Sequence, residues 1–328
     1  MTPGCWPQLE TEGPNLLSRA ATSLALLGRQ LERADHLARI LDVHLDLSLD
    51  RADDPGAGFW TGLMHLAGWV GGDIDRREQA VELLVGGAVG PSVRGSVAAA
   101  RAAAQAVRPS LPSELYEQLN SLYWRVEEAG GDRDLHAYLI AVELGVHLVQ
   151  GLVEDTMLHD EAREFVRIGK YLDRLESTVT LVARKSIELA GVSEDALEWT
   201  AVLKCGFAFE SYRVRFSAEV MGPQVLSFLL FDPTLPRSAR FCLVQALQAV
   251  RQIDGRRVSR PQRVLARMSG FFDDVAPALV ARDPAEFERE FRRLSEELTL
   301  ALRATYFQPS KVAATVPGDP TARVPQQQ

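Results

Sequence analysis

The sequence predicts an all-α fold, a multi-helix bundle with two related halves. Three observations lead there. Apolar residues recur every three or four positions along most of the chain. Strand signals are nearly absent: alternating β-branched runs are short, and no Asn-Gly or Asp-Gly hairpin lies between two of them. Glycine and proline clusters cut the periodic stretches where helix ends are expected. At 328 residues, 46% hydrophobic and 24% charged, the chain can bury a sizeable core and is too apolar for wholesale disorder.

The elements follow in order. Residues 1–15 carry Glu10 and Glu12 and no apolar run, so they read as an N-terminal extension and not as a signal peptide. A helical domain is expected over 16–307. Its first helix shows Leu24, Leu27, Leu31, Ala34, Ala38, Leu41 and Leu45 at steps of three and four. Leu26, Leu37, Ile40, Val43 and Leu47 widen that stripe, so this helix should touch more than one neighbour. Asp53-Asp54-Pro55-Gly56 ends it. Short elements follow at Phe59–Trp69 and Arg76–Leu84, then breaks at Gly86-Gly87 and Gly90-Pro91. An Ala-rich helix is expected over Ser92–Val107, and further helices over Ser113–Glu128 and Asp134–Gln150. A long helix should run from about Thr156 to Leu189, with Asp155-Thr156 as its cap. Another begins at Ser193 and reaches about Val220. Compact helices follow at Gln224–Leu230, Ser238–Ile253 and from Pro261 to the Phe271 region. Asp283-Pro284 supplies an N-cap with proline at the first helical position, starting Ala285–Tyr306. Residues 308–328 are Pro-, Ala- and Gln-rich and read as a disordered tail.

One pattern occurs twice. Gly28-Arg-Gln-Leu-Glu-Arg-Ala-Asp35 and Gly169-Lys-Tyr-Leu-Asp-Arg-Leu-Glu176 both fit Gly-[Arg/Lys]-x-Leu-[Asp/Glu]-Arg-x-[Asp/Glu], at an offset of 141. The same offset carries the first apolar stripe onto Phe165, Ile168, Leu172, Leu175, Val179 and Val182. An internal repeat, with the two motif helices as equivalent members, is the expectation. Glu32 and Asp35 share a helix face, flanked by Arg29 and Arg33. Asp173, Glu176, Lys170 and Arg174 stand equivalently. Two readings of these eight residues stay open. One is an ion-pair lattice, each exposed pair contributing ~0–1 kcal/mol. The other is a partly buried cluster, shared by two facing helices, that binds something charged.

Other chemistry is largely excluded. The net charge of −8 argues against a dedicated nucleic-acid binder. No histidine has a Glu three residues before it, so the di-iron bundle pattern is absent; Glu32/His36 and Glu143/His147 are isolated i, i+4 pairs, and no metal or other cofactor is expected. There is no phosphate-binding GxxxxGK[ST], no GxGxxG after a strand, no HExxH and no GxSxG. Cys5, Cys205 and Cys242 form no pair pattern, which suits a reducing, cytoplasmic setting. No window of about 18 uncharged apolar residues exists, so no membrane span is expected.

At the motif residues the sequence resembles the bacterial alpha-E domain family. Leu17-Ser-Arg-Ala-Ala21 with Gly28 to Val43 is similar to that family's N-terminal block. Gly151-Leu-Val-Glu-Asp-Thr-Met157, Phe165 and Gly169 to Arg174 look like its central block. Ala208-Phe-Glu-Ser-Tyr-Arg213 and Phe228 to Ser238 look like its C-terminal block. The resemblance implies an all-helical fold. It also implies a setting beside circularly permuted ATP-grasp ligases and transglutaminase-like peptidases, in a system that makes or modifies a peptide through amide bonds. The role implied is an accessory, non-catalytic subunit that binds the ligase or its peptide. The alternative is an enzyme acting on a peptide or amino-acid amide, with one of the paired carboxylates as general base.

The residues expected to bind follow from the motif and the resemblance together. Arg29, Arg33, Arg101, Arg108 and Arg174 would contact carboxylate or phosphate. Glu32, Asp35, Asp173 and Glu176 would fix those arginines or hold an amine. Glu114, Asn120 and Asp155 stand at matching positions. Glu210, Tyr212 and Arg213 either join the cluster or form a surface pair beside a packed aromatic. Asp232 and Arg237, with Ser238, either orient a loop near the site or make an ordinary turn and cap. The chain departs from the family where Ala102, Ala103 and Gln105 replace an acid, an amide and an arginine, which removes hydrogen-bonding groups.

Overall fold

The computed structural model describes residues 18–50, 56–87, 90–128, 134–189, 195–216, 219–274, 280 and 282–307. The predicted N-terminal extension, the tail and the turn at 53–55 lie outside them. The described residues hold thirteen α-helices and no strand. They are α1 (Ser18–Asp50), α2 (Gly56–Leu66), α3 (Arg77–Gly86), α4 (Val93–Ala106), α5 (Ser113–Glu127), α6 (Leu135–Thr156) and α7 (Glu161–Glu188), then α8 (Ala196–Cys205), α9 (Phe209–Arg215), α10 (Gly222–Phe231), α11 (Ala239–Asp254), α12 (Arg260–Asp274) and α13 (Pro284–Leu302). A π turn, Arg303–Phe307, extends α13.

Helix α1 is the axis of the bundle. It packs on α7, α4, α6 and α8, which is why its apolar stripe is so wide. Leu24, Leu27, Leu31, Leu37, Ile40 and Leu41 are all fully buried, each contributing about 1.5–3 kcal/mol by leaving water. Helix α7 is the second long member, with α11 and α13 on its far side. Helices α4, α5 and α6 wrap one flank, and α11, α12 and α13 the other.

Side-chain caps set many of the starts. Ser92, Asp134, Asp160, Asp195, Ser238 and Asp283 each accept a backbone N–H from the first turn of their helix. Such a cap is worth about 1 kcal/mol. Two boundaries differ from the sequence expectation. Helix α6 continues through Gly151 to Thr156, and Asp160, not Asp155-Thr156, caps the long motif helix. Gly151 is exposed with nothing near it, so its cost to the helix is only that of its own flexibility. The single helix expected from Ser193 to about Val220 is instead α8 and α9, joined at Gly206–Ala208; Ser193 itself lies outside the described residues. There Phe207 adopts φ +50°, closing the end of α8. That left-handed region is one a bulky side chain rarely enters.

Helix α6 is long and apolar enough, by length and composition alone, to cross a membrane, with a mean hydropathy of 1.4 over its best window. The uncharged-window criterion passes over it because it carries Glu143 and Glu154. In the bundle it packs against α1 and α5.

Candidate functional site

Two glycines let the motif helices meet. A Cβ on Gly169 would stand 2.8 Å from the Arg29 amide nitrogen and closer still to the Ala25 carbonyl oxygen. A Cβ on Gly28 would stand 3.1 Å from the Lys170 amide nitrogen and closer still to the Val166 carbonyl oxygen. The contacts are reciprocal: Ala25 and Val166, like Arg29 and Lys170, are separated by the motif offset. Only glycine permits such backbone-to-backbone approach.

The close crossing brings the charged residues together. Arg174 makes a bidentate pair with Glu32, both bonds at 2.7 Å. Arg33 answers with bonds of 2.6 and 3.2 Å to Asp173. Arg29 spans Asp173 at 3.3 Å and Glu176 at 2.7 Å. Gln150 of α6 donates to Glu32 at 3.0 Å. The cluster is interior: Glu32, Asp35 and Asp173 are within 1% of complete burial.

Arg237 completes it from the α10–α11 turn. Asp232 shapes that turn, accepting from the Thr234 and Leu235 amides at 2.7 and 3.1 Å. Ser238 caps α11 and bonds the Asp232 carbonyl. Arg237 is thereby aimed at Glu32, 3.1 Å away, and at Asp35.

The electrostatics follow from this pairing. Burial alone would raise the Glu32 carboxyl; Arg174 and Arg237 overrule it and lower it to about 2. Asp35, also raised by burial, is lowered by Arg237 and His147. Glu176 goes the other way, raised by burial against the pull of Arg29. Lys170 is lowered to about 8, by burial and then by Arg174. It borders a narrow pocket between α1, α6 and α7, lined also by Gly28, Gln150, Glu154 and Arg167.

A second polar seam joins α1 to α6. Arg39 pairs with Glu143, and Asp42 with His136 at 2.6 Å. His147 Nε2 lies 3.1 Å from Asp35 Oδ1, at an angle that leaves that oxygen without a hydrogen bond. Burial pushes Glu143 up to about 7, against the opposing pull of Arg39. The Phe207 ring carries the Arg39 guanidinium at 3.6 Å and the Arg237 guanidinium at 4.3 Å from its centroid. These contacts hold the strained Phe207 backbone in place. Sequence reasoning passed over Arg39 and Phe207. Glu143 and His147 were visible only as an i, i+4 pair, and nothing local marks a left-handed phenylalanine.

The remaining expected site residues lie elsewhere. Arg101 bonds Asn120 at 2.8 Å and stacks on Tyr123, tying α4 to α5. Arg108 bonds the Leu111 carbonyl and Ser113 and stacks on Tyr116. Glu114 is exposed in the first turn of α5, and Asp155 is exposed near the end of α6. Glu210 and Arg213 face each other at 3.6 Å on the surface. Tyr212 is fully buried; its hydroxyl donates to Gln224 at 2.8 Å and accepts from the Met221 amide at 3.2 Å. Asp232 meets Arg215 at 3.1 Å. So Arg29, Glu32, Arg33, Asp35, Asp173, Arg174, Glu176 and Arg237 are brought together, and the others are not.

Among the described residues no group of three His, Cys, Asp or Glu is placed to hold a metal ion. No curated protein and no solved structure matches the chain. A family model does, over residues 16–307; its description is a predicted alpha-helical domain with a conserved ER motif. Glu32-Arg33, an adjacent Glu-Arg pair, sits within that span at the centre of the α1–α7 crossing. The model covers most of the chain, and the chain therefore belongs to the Alpha-E family.

Proposed function

We propose that this protein is an accessory, non-catalytic helical subunit of an ATP-grasp-associated system that forms peptide or amide bonds. It would position a circularly permuted ATP-grasp ligase, a transglutaminase-like peptidase, or their peptide. The observation that carries this reading is the state of the motif carboxylates. Glu32, Asp35 and Asp173 are buried and bonded to guanidinium groups. A general base needs reach to its substrate and a pKa near the working pH; a carboxyl held near 2 inside the bundle has neither. The arginines are likewise committed to internal partners. The motif thus acts as a keystone, and recognition falls to the outer surface. Leu144 and Leu148, one turn apart on α6, are 62% and 51% exposed, which supports a partner face there.

The enzymatic alternative rests on Glu143, raised to about 7 beside Arg39 and near His147. Its side chain is only 4% exposed, which argues against direct proton transfer to a substrate. Co-purification with the neighbouring ligase and an assay of ATP-dependent peptide formation, with and without this protein, separate the readings. A stable complex whose activity survives Glu143→Gln supports the accessory role. Turnover by this protein alone, abolished by that variant, overturns it.

A further inference from the structure

A groove of about 680 Å³ lies between α7, α13 and the turn after α2, and borders the charged cluster at Glu176. That volume is in the range of small-ligand sites. Its lining is polarised along its length. Helices α7 and α13 run antiparallel: Phe165 meets Phe307 at one end and Arg184 meets Glu288 at the other, at the same interval on both helices. This register sets Glu176 level with Glu296. One end of the groove is therefore acidic, with Glu296 and with Glu176, whose Oε2 also accepts from Arg29 at 2.7 Å. The other holds Arg184 and Arg292, which share Glu288 at 3.4 and 2.7 Å. Two arginines on one carboxylate leave that end with surplus donors, and Arg184 Nε is buried without a hydrogen bond.

The third wall is an aromatic held in place. Added Cβ atoms on Gly71 and Gly90 would both collide with the Trp69 ring, so the two glycines clasp it. Trp69 Nε1 donates to the Gly72 carbonyl at 3.1 Å. Val70 and Leu300, 99% and 60% exposed, stand at the same groove. A fixed aromatic surface with apolar edges suits a side chain or peptide plane laid across it.

The geometry points to this groove as a binding site for a short peptide with free ends. The ammonium would sit at Glu176 and Glu296, and the carboxylate at Arg184 and Arg292. Length agrees with charge. Glu176 and Arg184, one from each end, are eight residues apart on α7, about 12 Å at 1.5 Å per residue. An extended chain covers about 3.3–3.6 Å per residue, so about four residues bridge them. The assignment of the occupant as a peptide rests on the function proposed above; the polarity and length of the groove do not.

The test is calorimetric titration of the full chain with the peptide Ala-Leu-Ala-Ala at pH 7, where its amino terminus is charged. N-acetylated and C-amidated forms, a dipeptide and an octapeptide complete the set. The expected result is saturable binding that is weakened at least tenfold by either end block and tightest for the tetrapeptide. Glu296→Gln should weaken the free peptide tenfold and leave the acetylated one unchanged; Arg292→Gln should do the same for the carboxylate end. Both positions are exposed, and circular dichroism confirms folding. No saturable binding to the folded parent, or equal binding of free and blocked peptides, overturns the proposal. So does self-association of the protein that either variant abolishes, because the groove would then hold a second copy. Peptide binding without a ligase complex would sink the subunit reading and keep the groove; a complex without peptide binding would do the reverse.

Discussion

Gly169→Ala places one methyl group where α7 meets the backbone of α1. The new Cβ would be about 1 Å or more inside van der Waals contact with the Ala25 carbonyl oxygen. Backbone on both sides prevents a local rotamer change from relieving this, so the helices must part. The Arg174–Glu32 bonds at 2.7 Å and the Arg33–Asp173 bond at 2.6 Å cross the same interface. Parting by that distance takes them out of hydrogen-bonding range. Breaking a buried pair costs about 3–5 kcal/mol, and overpacking about 1–3 kcal/mol. Alanine returns about 1 kcal/mol of helix propensity. A net loss of about 3 kcal/mol or more follows, a fall in Tm of about 5 °C or more for a domain of this size. Urea unfolding of Gly169→Ala beside Gly151→Ala gives the comparison. Gly151 is helical with nothing near it, so its replacement should stabilise by about 0.5–1 kcal/mol. If Gly169→Ala unfolds within 1 kcal/mol of the parent, the close crossing and the argument built on it are wrong.

Three more outcomes are expected. Glu32→Gln strands the buried Arg174 and should cost about 3–5 kcal/mol in urea unfolding, while Glu114→Gln on the surface stays within about 0.5 kcal/mol. Tyr212→Phe deprives the Met221 amide of its acceptor and should cost about 1–3 kcal/mol by the same measurement. The third concerns pH. Glu143 is raised by burial to about 7, so its contribution is present below pH 4.5 and lost as pH rises toward 7. His36 is lowered by burial to about 4, so its contribution grows as pH rises from 4 to 6.5. The two oppose each other between pH 4.5 and 6.5. Glu143→Gln should therefore make stability rise more steeply with pH in that window, and an unchanged profile would show that Glu143 titrates normally.

Local pattern carried the helices, because periodicity and caps are written in adjacent residues. Leu24 to Leu45 defined α1, and Asp283-Pro284 defined the start of α13. The α6–α7 boundary was misplaced because Gly151 looks like a stop, yet an exposed helical glycine is tolerated at modest cost. The candidate site was legible only where the motif recurs. Glu32 and Asp173 announce themselves by spacing, but whether their helices face each other depends on Gly28 and Gly169, whose meaning appears only when two backbones touch. Arg237 reaches the cluster from a turn some 200 residues downstream of Asp35, a distance no local pattern spans. The Glu143–Arg39–Phe207 corner is likewise assembled from three separate elements. The groove was invisible for the same reason: Trp69, Arg184 and Glu296 share no sequence neighbourhood.

The crossing also determines how the chain can be divided. Four residues, Met157 to Asp160, join α6 to α7. A cut there leaves one fragment with Glu32 and Asp35 and the other with Arg174 and Arg237. It likewise separates Arg29 and Arg33 from Asp173. Each fragment would expose a row of charges of both signs whose guanidinium–carboxylate partners are on the other. Neither should fold alone, but mixed together they carry matching glycine notches and charges. The protein is thus suited to reconstitution from two pieces, with the motif serving as the address by which the halves find each other.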